Sequence, residues 1–418
     1  MDSQLTPRAR VVALGRRWFV AYLLVYMLPF PLGQIPGVDE LMGVLRRPWV
    51  SLVGWVGAGL FGVEAVPRHS GSGDTTYHHV ELVWVAALAA AIALAWPLLA
   101  RGRELSPRVL DRVRAYASIY LGGWLLIYGW SKLIPLQFPE PGPDRLLIAY
   151  GDSSPMGLLW TFMGASAPYQ MLAGLAEVTC GMLLFWRRSR LLGALLAIGV
   201  MGNVVALNYC YDVPVKLFSS HLWVVAIFIA APDLRRLCDL LWFHRAVEPR
   251  AIDPYPIVAR GGRRALVGAK LGLVALLSSG AVIEGFTSLG RVDRGSRSAL
   301  DGVYRVGSFT REGAGAADEA WLRVGLSLEG RAAIVRADGS GQRYRLQVDE
   351  EARTLQWTRS GTTERFRVRY RWSAHNELEL RGVIDGMATT VVLRREYGVR
   401  SALLSRGFHW VQETPFNR

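Results

Sequence analysis

Ionisable side chains interrupt the long apolar stretches of this 418-residue chain. A charge at the centre of a bilayer costs about 2.5–3.5 kcal/mol even on lenient insertion scales, so such a residue needs a partner or a purpose. Glu177 lies ten residues before Arg187, and His221 lies twelve residues before Asp233. At about 1.5 Å of helical rise per residue, both are predicted near the bilayer midplane. We therefore expect Glu177 and His221 to pair as proton-handling groups, and they are the candidate catalytic residues.

A wider set of polar residues continues from these two toward one side of the predicted bundle. The same depth count predicts a pocket open to the outer side, lined by Lys132, Tyr128, Asn203, Asn208, Asp212, Glu81 and His79. Two simpler interpretations stand beside it. Asn203 and Asn208 are favoured as hydrogen-bonding groups that join helices, because amides are common in that role. Lys132 is favoured as an interfacial anchor whose ammonium group reaches water.

The histidines and cysteines predict neither a metal nor a haem site. His78 and His79 are adjacent, so on a helix their side chains diverge by about 100°. The chain has three cysteines, at positions 180, 210 and 238, and none of them forms a CxxC motif. By the depth count the first two differ by roughly 20 Å, which is too far for a disulfide.

Seven apolar stretches have the length of a membrane-spanning helix. They lie near 18–36, 79–100, 114–134, 168–186, 191–210, 217–232 and 266–288. The stretch 48–66 is predicted to lie in the outer interface instead. Arginine and lysine are concentrated in 1–17, 101–114, 187–190 and 233–264. These segments are therefore predicted to be cytoplasmic, which puts the N-terminus inside and the C-terminal region in the periplasm or outside the cell.

The hydrophobic period changes from helical to two after Asp301, as in the alternation of arginines with aromatic and aliphatic residues over 365–372. Seven more strands are predicted at 302–309, 321–328, 331–337, 342–348, 353–359, 376–383 and 387–396. Eight short strands predict an all-β, up-and-down barrel or strongly curved meander of lipocalin-like shape. A filled interior is favoured over one that holds an apolar ligand.

The predicted fold class is thus an α-helical polytopic membrane bundle of about seven spans followed by an all-β domain. Four regions are expected: two spans with an interfacial helix (1–105), a four-helix membrane unit (106–235), a cytoplasmic segment and last span (236–290), and an extracytoplasmic β-barrel-like domain (291–418). The expected location is the cytoplasmic (inner) membrane, with membrane lipid as a partner. Nucleic acid is not expected as a partner despite the net charge of +14, because the arginine face would lie outside the cell membrane.

Three motifs stand out within residues 114–232: Tyr128-Gly-Trp-Ser-Lys132, Tyr150-Gly-Asp-Ser-Ser-Pro-Met-Gly157 and Ala173-Gly-Leu-Ala-Glu177. Through these motifs, this part of the chain resembles the DoxX family. That family is a four-helix membrane unit related to the small membrane subunit of thiosulfate:quinone oxidoreductase. The resemblance implies quinone-coupled or other membrane redox chemistry, with quinone as the cofactor and protein subunits of a redox complex as partners.

Two functions fit these sequence features. In the first, an outward-facing pocket handles a quinone or similar lipid-soluble redox partner through Glu177 and His221. In the second, the bundle is a non-catalytic anchor that presents a β-barrel to a protein or lipid partner outside the cytoplasm. Transport is less favoured, because the polar residues stop short of the cytoplasmic half.

Overall fold

The computed structural model describes residues 6–68, 70–100, 104–248, 260–293, 300–312, 320–327, 330–374, 376–396, 401–406, 410 and 412. The chain divides into two compact units. The helical unit comprises Met1–Leu136 and Met171–Gly285, and the barrel unit comprises Gln137–Gln170 and Phe286–Arg418.

The helices have the following bounds in chain order: α1 Pro7–Met27, α2 Asp39–Val56, α3 Thr76–Leu99, α4 Pro107–Leu133, α5 Pro143–Leu146, α6 Pro155–Gly164, α7 Ala167–Leu184, α8 Arg190–Cys210, α9 Lys216–Ala230, α10 Leu234–Leu241, α11 Arg260–Asp293 and α12 Ala402–Ser405. Several begin with a hydroxyl residue followed by proline. Thr6 accepts a hydrogen bond from the backbone nitrogen of Ala9, and Ser106 accepts one from that of Val109, each at 3.3 Å. Both side chains satisfy a backbone donor of the first helical turn.

Five helical segments of the described chain are long and apolar enough to cross a membrane: Pro7–Gln34, Thr76–Leu98, Arg190–Cys210, Lys216–Leu241 and Arg264–Ser288. The protein is therefore membrane-associated. The count of about seven spans is not confirmed. Helices do form at the two remaining positions, as α4 and α7, but neither is among the five. Much of α4 is buried inside the unit, where its polar residues Asp111 and Lys132 pair with charged residues of neighbouring segments.

The first helix begins and ends earlier than the predicted stretch 18–36. It starts at Pro7 and stops at Met27, because Pro29 and Pro31 follow and cannot continue a helix. The hydroxyl of Tyr116 on α4 donates to the carbonyl oxygens of Phe30 at 2.7 Å and Met27 at 3.1 Å. This bond ties the end of α1 to the core of the helical unit.

The predicted interfacial segment 48–66 is helical only in part. Its first half continues α2 to Val56, and one turn of π-helix follows over Gly57–Phe61. The turn ends at Gly62, whose φ of 63° lies in the left-handed region that favours glycine. The cytoplasmic segment predicted before the last span lies partly outside the described residues, at 249–259.

The predicted all-β domain is confirmed as a closed antiparallel barrel in which each strand pairs with its neighbours in sequence. The strands are β1 Gly302–Arg311, β2 Trp321–Ser327, β3 Arg331–Arg336, β4 Gly341–Asp349, β5 Thr354–Arg359, β6 Arg365–Ala374, β7 Glu377–Ile384 and β8 Met387–Arg395. Closure occurs between β1 and β8, from Tyr304 opposite Arg395 to Arg311 opposite Thr389. Pairing every strand removes exposed edges.

Aromatic side chains occupy much of the barrel interior. Trp357 is fully buried, and its ring stacks on that of Phe366 with centroids 5.6 Å apart and lies tilted against that of Trp321 at 6.0 Å. Tyr344 meets the same ring edge to face at 5.7 Å. These contacts agree with the expectation that large side chains fill an eight-stranded barrel.

The segment 137–170 packs as part of the barrel unit, whereas the predicted division placed it inside the membrane region 106–235. Helix α5 lies on β2 and β3, where Gly325 stands opposite Ala333. A β-carbon at Gly325 would lie 2.7 Å from the carbonyl oxygen of Pro143. The absence of side-chain bulk on these two strands therefore makes the platform on which α5 docks.

Candidate functional site

Helices α4 and α7 cross in backbone contact at four glycines, Gly122, Gly129, Gly174 and Gly181, which we call the glycine crossing. A β-carbon at Gly174 would lie 2.6 Å from the carbonyl oxygen of Gly129, and one at Gly181 would lie 2.9 Å from that of Gly122. The glycines are seven residues apart in each helix, so they recur on the same helical face. No larger residue fits between these backbones without a shift.

An ion pair between Lys132 and Glu177 lies beside the glycine crossing. Each residue follows a crossing glycine by three positions, and so lies on the same side of its helix. The Lys132 Nζ atom donates to Glu177 Oε2 at 2.8 Å, and the two side chains are 10% and 4% exposed. The Tyr128 ring centroid is 5.7 Å from the same Nζ atom. Sequence pattern and close helix approach thus bring three of the predicted site residues together.

Two predictions about this pair are wrong. Glu177 was expected to pair with His221, but its carboxylate binds Lys132. Lys132 was expected to extend into water as an anchor, but it is only 8% exposed. The physical reason is the same in both cases. The alignment of α4 and α7 at the glycine crossing determines which charged residues meet. A depth counted from distant arginines cannot predict that alignment.

His221 belongs to a separate cluster with Tyr22 and Tyr26 of α1, which we call the tyrosine–histidine cluster. Its Nδ1 atom is 2.6 Å from the carbonyl oxygen of Leu217, and its Nε2 atom is 2.6 Å from the Tyr22 hydroxyl. A carbonyl only accepts, so Nδ1 carries the proton and Nε2 accepts from the tyrosine. The Tyr26 ring stacks on the imidazole with centroids 4.0 Å apart.

The remaining predicted pocket residues form further groups. Asn208 of α8 donates to the hydroxyl of Ser219 on α9 at 3.0 Å, and both residues are buried. Asn203 is exposed on α8. The indole nitrogen of Trp49 donates to Glu81 at 2.7 Å.

His79 and Asp212 are also engaged locally. The Nδ1 atom of His79 lies 3.0 Å from the backbone oxygen of Thr75, and the exposed carboxylate of Asp212 accepts from Lys216 at 2.8 Å. The predicted continuous polar pocket is therefore a series of small groups. Whether any of them binds a ligand stays a prediction.

Several residues that shape these groups were missed from the sequence. Asp74 accepts hydrogen bonds from the backbone nitrogens of Lys216 at 2.8 Å and Leu217 at 3.0 Å, and so caps the start of α9 from a distant loop. Tyr22 and Tyr26 were also missed. Their spacing of four residues, which puts both rings on one face of α1, was the available signal.

No group of three or more histidine, cysteine, aspartate or glutamate residues suited to a metal ion occurs within the described part of the chain. The three cysteines are free, with Cys180 buried and Cys210 and Cys238 exposed. The predicted site residues thus form one buried ion pair, one exposed ion pair, one tyrosine–histidine cluster and several pairwise hydrogen bonds.

Comparison with known proteins gives one similarity. The chain is 28% identical over 143 residues to YwoB, an uncharacterized protein of Bacillus subtilis strain 168; the match covers 34% of this chain and 91% of that protein. No protein-family model matches the chain, and no solved structure matches it. The similarity to YwoB carries no activity with it.

Proposed function

We propose that this chain is a non-catalytic membrane protein whose helical unit anchors a binding β-barrel outside the cytoplasm. The observation that carries the proposal is the buried pair of Lys132 and Glu177. A carboxylate in a bundle core needs a counter-charge, and here the protein supplies its own. The charge is thereby accounted for without a ligand, which is the behaviour of a structural pair.

The other polar groups support the same interpretation. Asn208 and Ser219 satisfy each other, and the His221 imidazole uses both ring nitrogens in hydrogen bonds to Leu217 and Tyr22. A redox ligand that bound Asn208 or His221 would have to displace these hydrogen bonds. The barrel unit, by contrast, carries an arginine-rich outer surface.

The quinone test uses the full chain in neutral detergent and a short-chain quinone, with quenching of tryptophan fluorescence as the readout. Trp124 lies near the Tyr128 ring, with centroids 5.9 Å apart, so a ring bound beside Lys132 would quench it. We expect only linear, unsaturable quenching, and the same from Glu177→Gln. Saturable quenching by the wild-type chain would refute the scaffold function.

A second candidate function is the quinone-linked redox role implied by the DoxX resemblance. One observation favours it: the Tyr22 hydroxyl and the His221 imidazole are 2.6 Å apart, so a proton can pass between them. In the same assay this role predicts saturable binding of the quinone. It also predicts that a chemical donor reduces the bound quinone more slowly when Tyr22→Phe removes the hydroxyl.

The orientation in the proposal is tested with cysteine labelling in intact cells. Cys238 is exposed on α10, in a segment predicted to be cytoplasmic, and Asp338 lies in the exposed turn between β3 and β4. A membrane-impermeant maleimide should label Asp338→Cys and spare Cys238 until the cells are lysed. Labelling in the reverse order would place the barrel in the cytoplasm.

A further inference from the structure

A cavity of about 420 Å³ opens on the barrel unit where α5 meets β3 and β4. Its charged lining comes from Asp144 and Arg145 of α5, Arg331 of β3, and Arg343 and Arg345 of β4. The volume falls within the range of about 300–1,000 Å³ that is usual for small-molecule sites. All of these residues belong to the barrel unit.

Packing of the segment that precedes α6 creates the cavity. Gly325 allows α5 to approach β2, and Gly341 does the same for Ile148, whose Cδ1 atom would lie 2.9 Å from a β-carbon at that position. The α5 segment therefore packs on the strands and forms one side of the cavity. Arg343 and Arg345 are two apart on β4, so both side chains leave the same outer face.

The cavity lining has an excess of positive charge. Among the residues that the structure describes, it contains four arginines and one carboxylate, Asp144, which is 1% exposed and lies 3.3 Å from Arg331. Some arginines elsewhere on the barrel share an acidic partner, as Arg371 and Arg381 do with Glu379. Within the described lining of the cavity, one carboxylate beside four arginines leaves three positive charges in excess.

Arg145 is held in this cluster by its surroundings. Burial lowers the pKa of its guanidinium, and the nearby Arg343 and Arg331 lower it further, while Asp144 acts in the opposite direction. Gly157, in the first turn of α6, leaves room for the group, because a β-carbon there would lie 2.7 Å from Arg145 Nη1. A cation beside the N-terminus of a helix is unfavourable unless an anion accompanies it.

We propose that this cavity binds a phosphate group, through Arg145, Arg343 and Arg345. Guanidinium groups offer paired N–H donors that match the oxygens of phosphate, and three excess charges suit a phosphate better than a carboxylate with one charge. The group is either a free phosphate or phosphorylated solute, or the head group of an anionic phospholipid. The inference rests on the proposed function, in which the barrel unit is the binding part, and names the chemistry it recognises.

The test is calorimetric titration of the full chain in neutral maltoside detergent with two probes. One probe is inorganic phosphate, against chloride at matched ionic strength. The other is short-chain phosphatidylglycerol below its micelle concentration, against the matching phosphatidylcholine. We expect saturable binding of at least one probe. Phosphate alone identifies a soluble ligand, and phosphatidylglycerol alone identifies a lipid head group.

Three variants locate the site. Arg343→Gln should weaken binding at least tenfold, whereas Arg369→Gln, an exposed arginine of β6 outside the cavity lining, should leave it unchanged. Asp144→Asn removes the competing negative charge and should tighten binding, an effect that damage to the fold would not produce. Near-ultraviolet circular dichroism checks that each variant retains its packing.

Two results would overturn the inference: no saturable binding of either probe, or an equal loss in Arg343→Gln and Arg369→Gln. Neither depends on the quinone titration, so the phosphate site and the scaffold function can fail separately.

Discussion

Replacing one partner of the Lys132–Glu177 pair should destabilise the helical unit far more than replacing both. At 2.8 Å and an effective dielectric constant of about 20, two unit charges attract by about 6 kcal/mol. Desolvation of both groups offsets most of that gain, so the pair itself contributes little to net stability. Removing one partner leaves the other charge buried and unpaired, which costs about 3–5 kcal/mol.

We therefore expect Glu177→Gln and Lys132→Met each to lower the free energy of unfolding by about 3 kcal/mol or more. The double variant should recover most of the loss, to within about 1 kcal/mol of the wild type, because it leaves no uncompensated charge. The measurement is unfolding in mixed detergent micelles with increasing sodium dodecyl sulfate, followed by far-ultraviolet circular dichroism.

The matched control is the pair of Lys216 and Asp212, which has the same 2.8 Å separation but side chains that are 25% and 83% exposed. Asp212→Asn should cost less than about 1 kcal/mol, as exposed pairs do. If the losses of the two single variants at Lys132 and Glu177 simply add in the double variant, the pair is not the structural unit described above. The polar groups of α4 and α7 would then need another explanation.

Three further predictions, made with four variants, test other parts of the molecule by the same unfolding measurement. Gly174→Ala should lower the free energy of unfolding by about 3 kcal/mol, because its β-carbon would press on the α4 backbone. Gly199→Ala, with nothing within 4 Å of the new β-carbon, should be neutral or slightly stabilising, and equal effects of the two variants would contradict the glycine crossing. Trp357→Ala should cost about 3–5 kcal/mol by emptying the barrel interior, and a loss below about 1 kcal/mol would argue for an unfilled barrel. Hydrogen bonds from Arg381 hold the pKa of the Glu379 carboxyl below its usual range, so the ionised carboxylate stabilises the folded barrel and this stabilisation should be lost as the pH falls below about 4.3. Glu379→Gln should flatten this part of the profile of stability against pH, and an unchanged profile would refute the role of Glu379.

The barrel was predictable from the sequence because its information is local. Alternation over Arg365–Ala374 identifies one face, and glycines with positive φ at 330, 339 and 386 mark the turns between adjacent strands. Except at the closure between β1 and β8, strand neighbours in space are also neighbours in the chain, so this closure was the one long-range pairing to be chosen. Predicted and observed strand bounds accordingly agree closely.

The pairing of polar groups in the helical unit was not predictable in the same way. The depth count separated Lys132 from Glu177 by about 12 Å, on the assumption that both helices cross the bilayer upright from their arginine clusters. The real register is set by the glycines at the crossing, and a lysine side chain is long enough to reach back along its helix. The glycines were visible in the sequence, and their seven-residue spacing in α4 and α7 was the unused signal.

The barrel unit combines an early segment of the chain with strands that are synthesised much later. Residues 137–170 leave the ribosome long before the strands against which α5 packs. Until β2 and β3 have been synthesised, α5 has no strands to pack against. The unit can therefore be completed only after β8 has been made, and a chain truncated within the strands would leave residues 137–170 without the surface on which α5 packs.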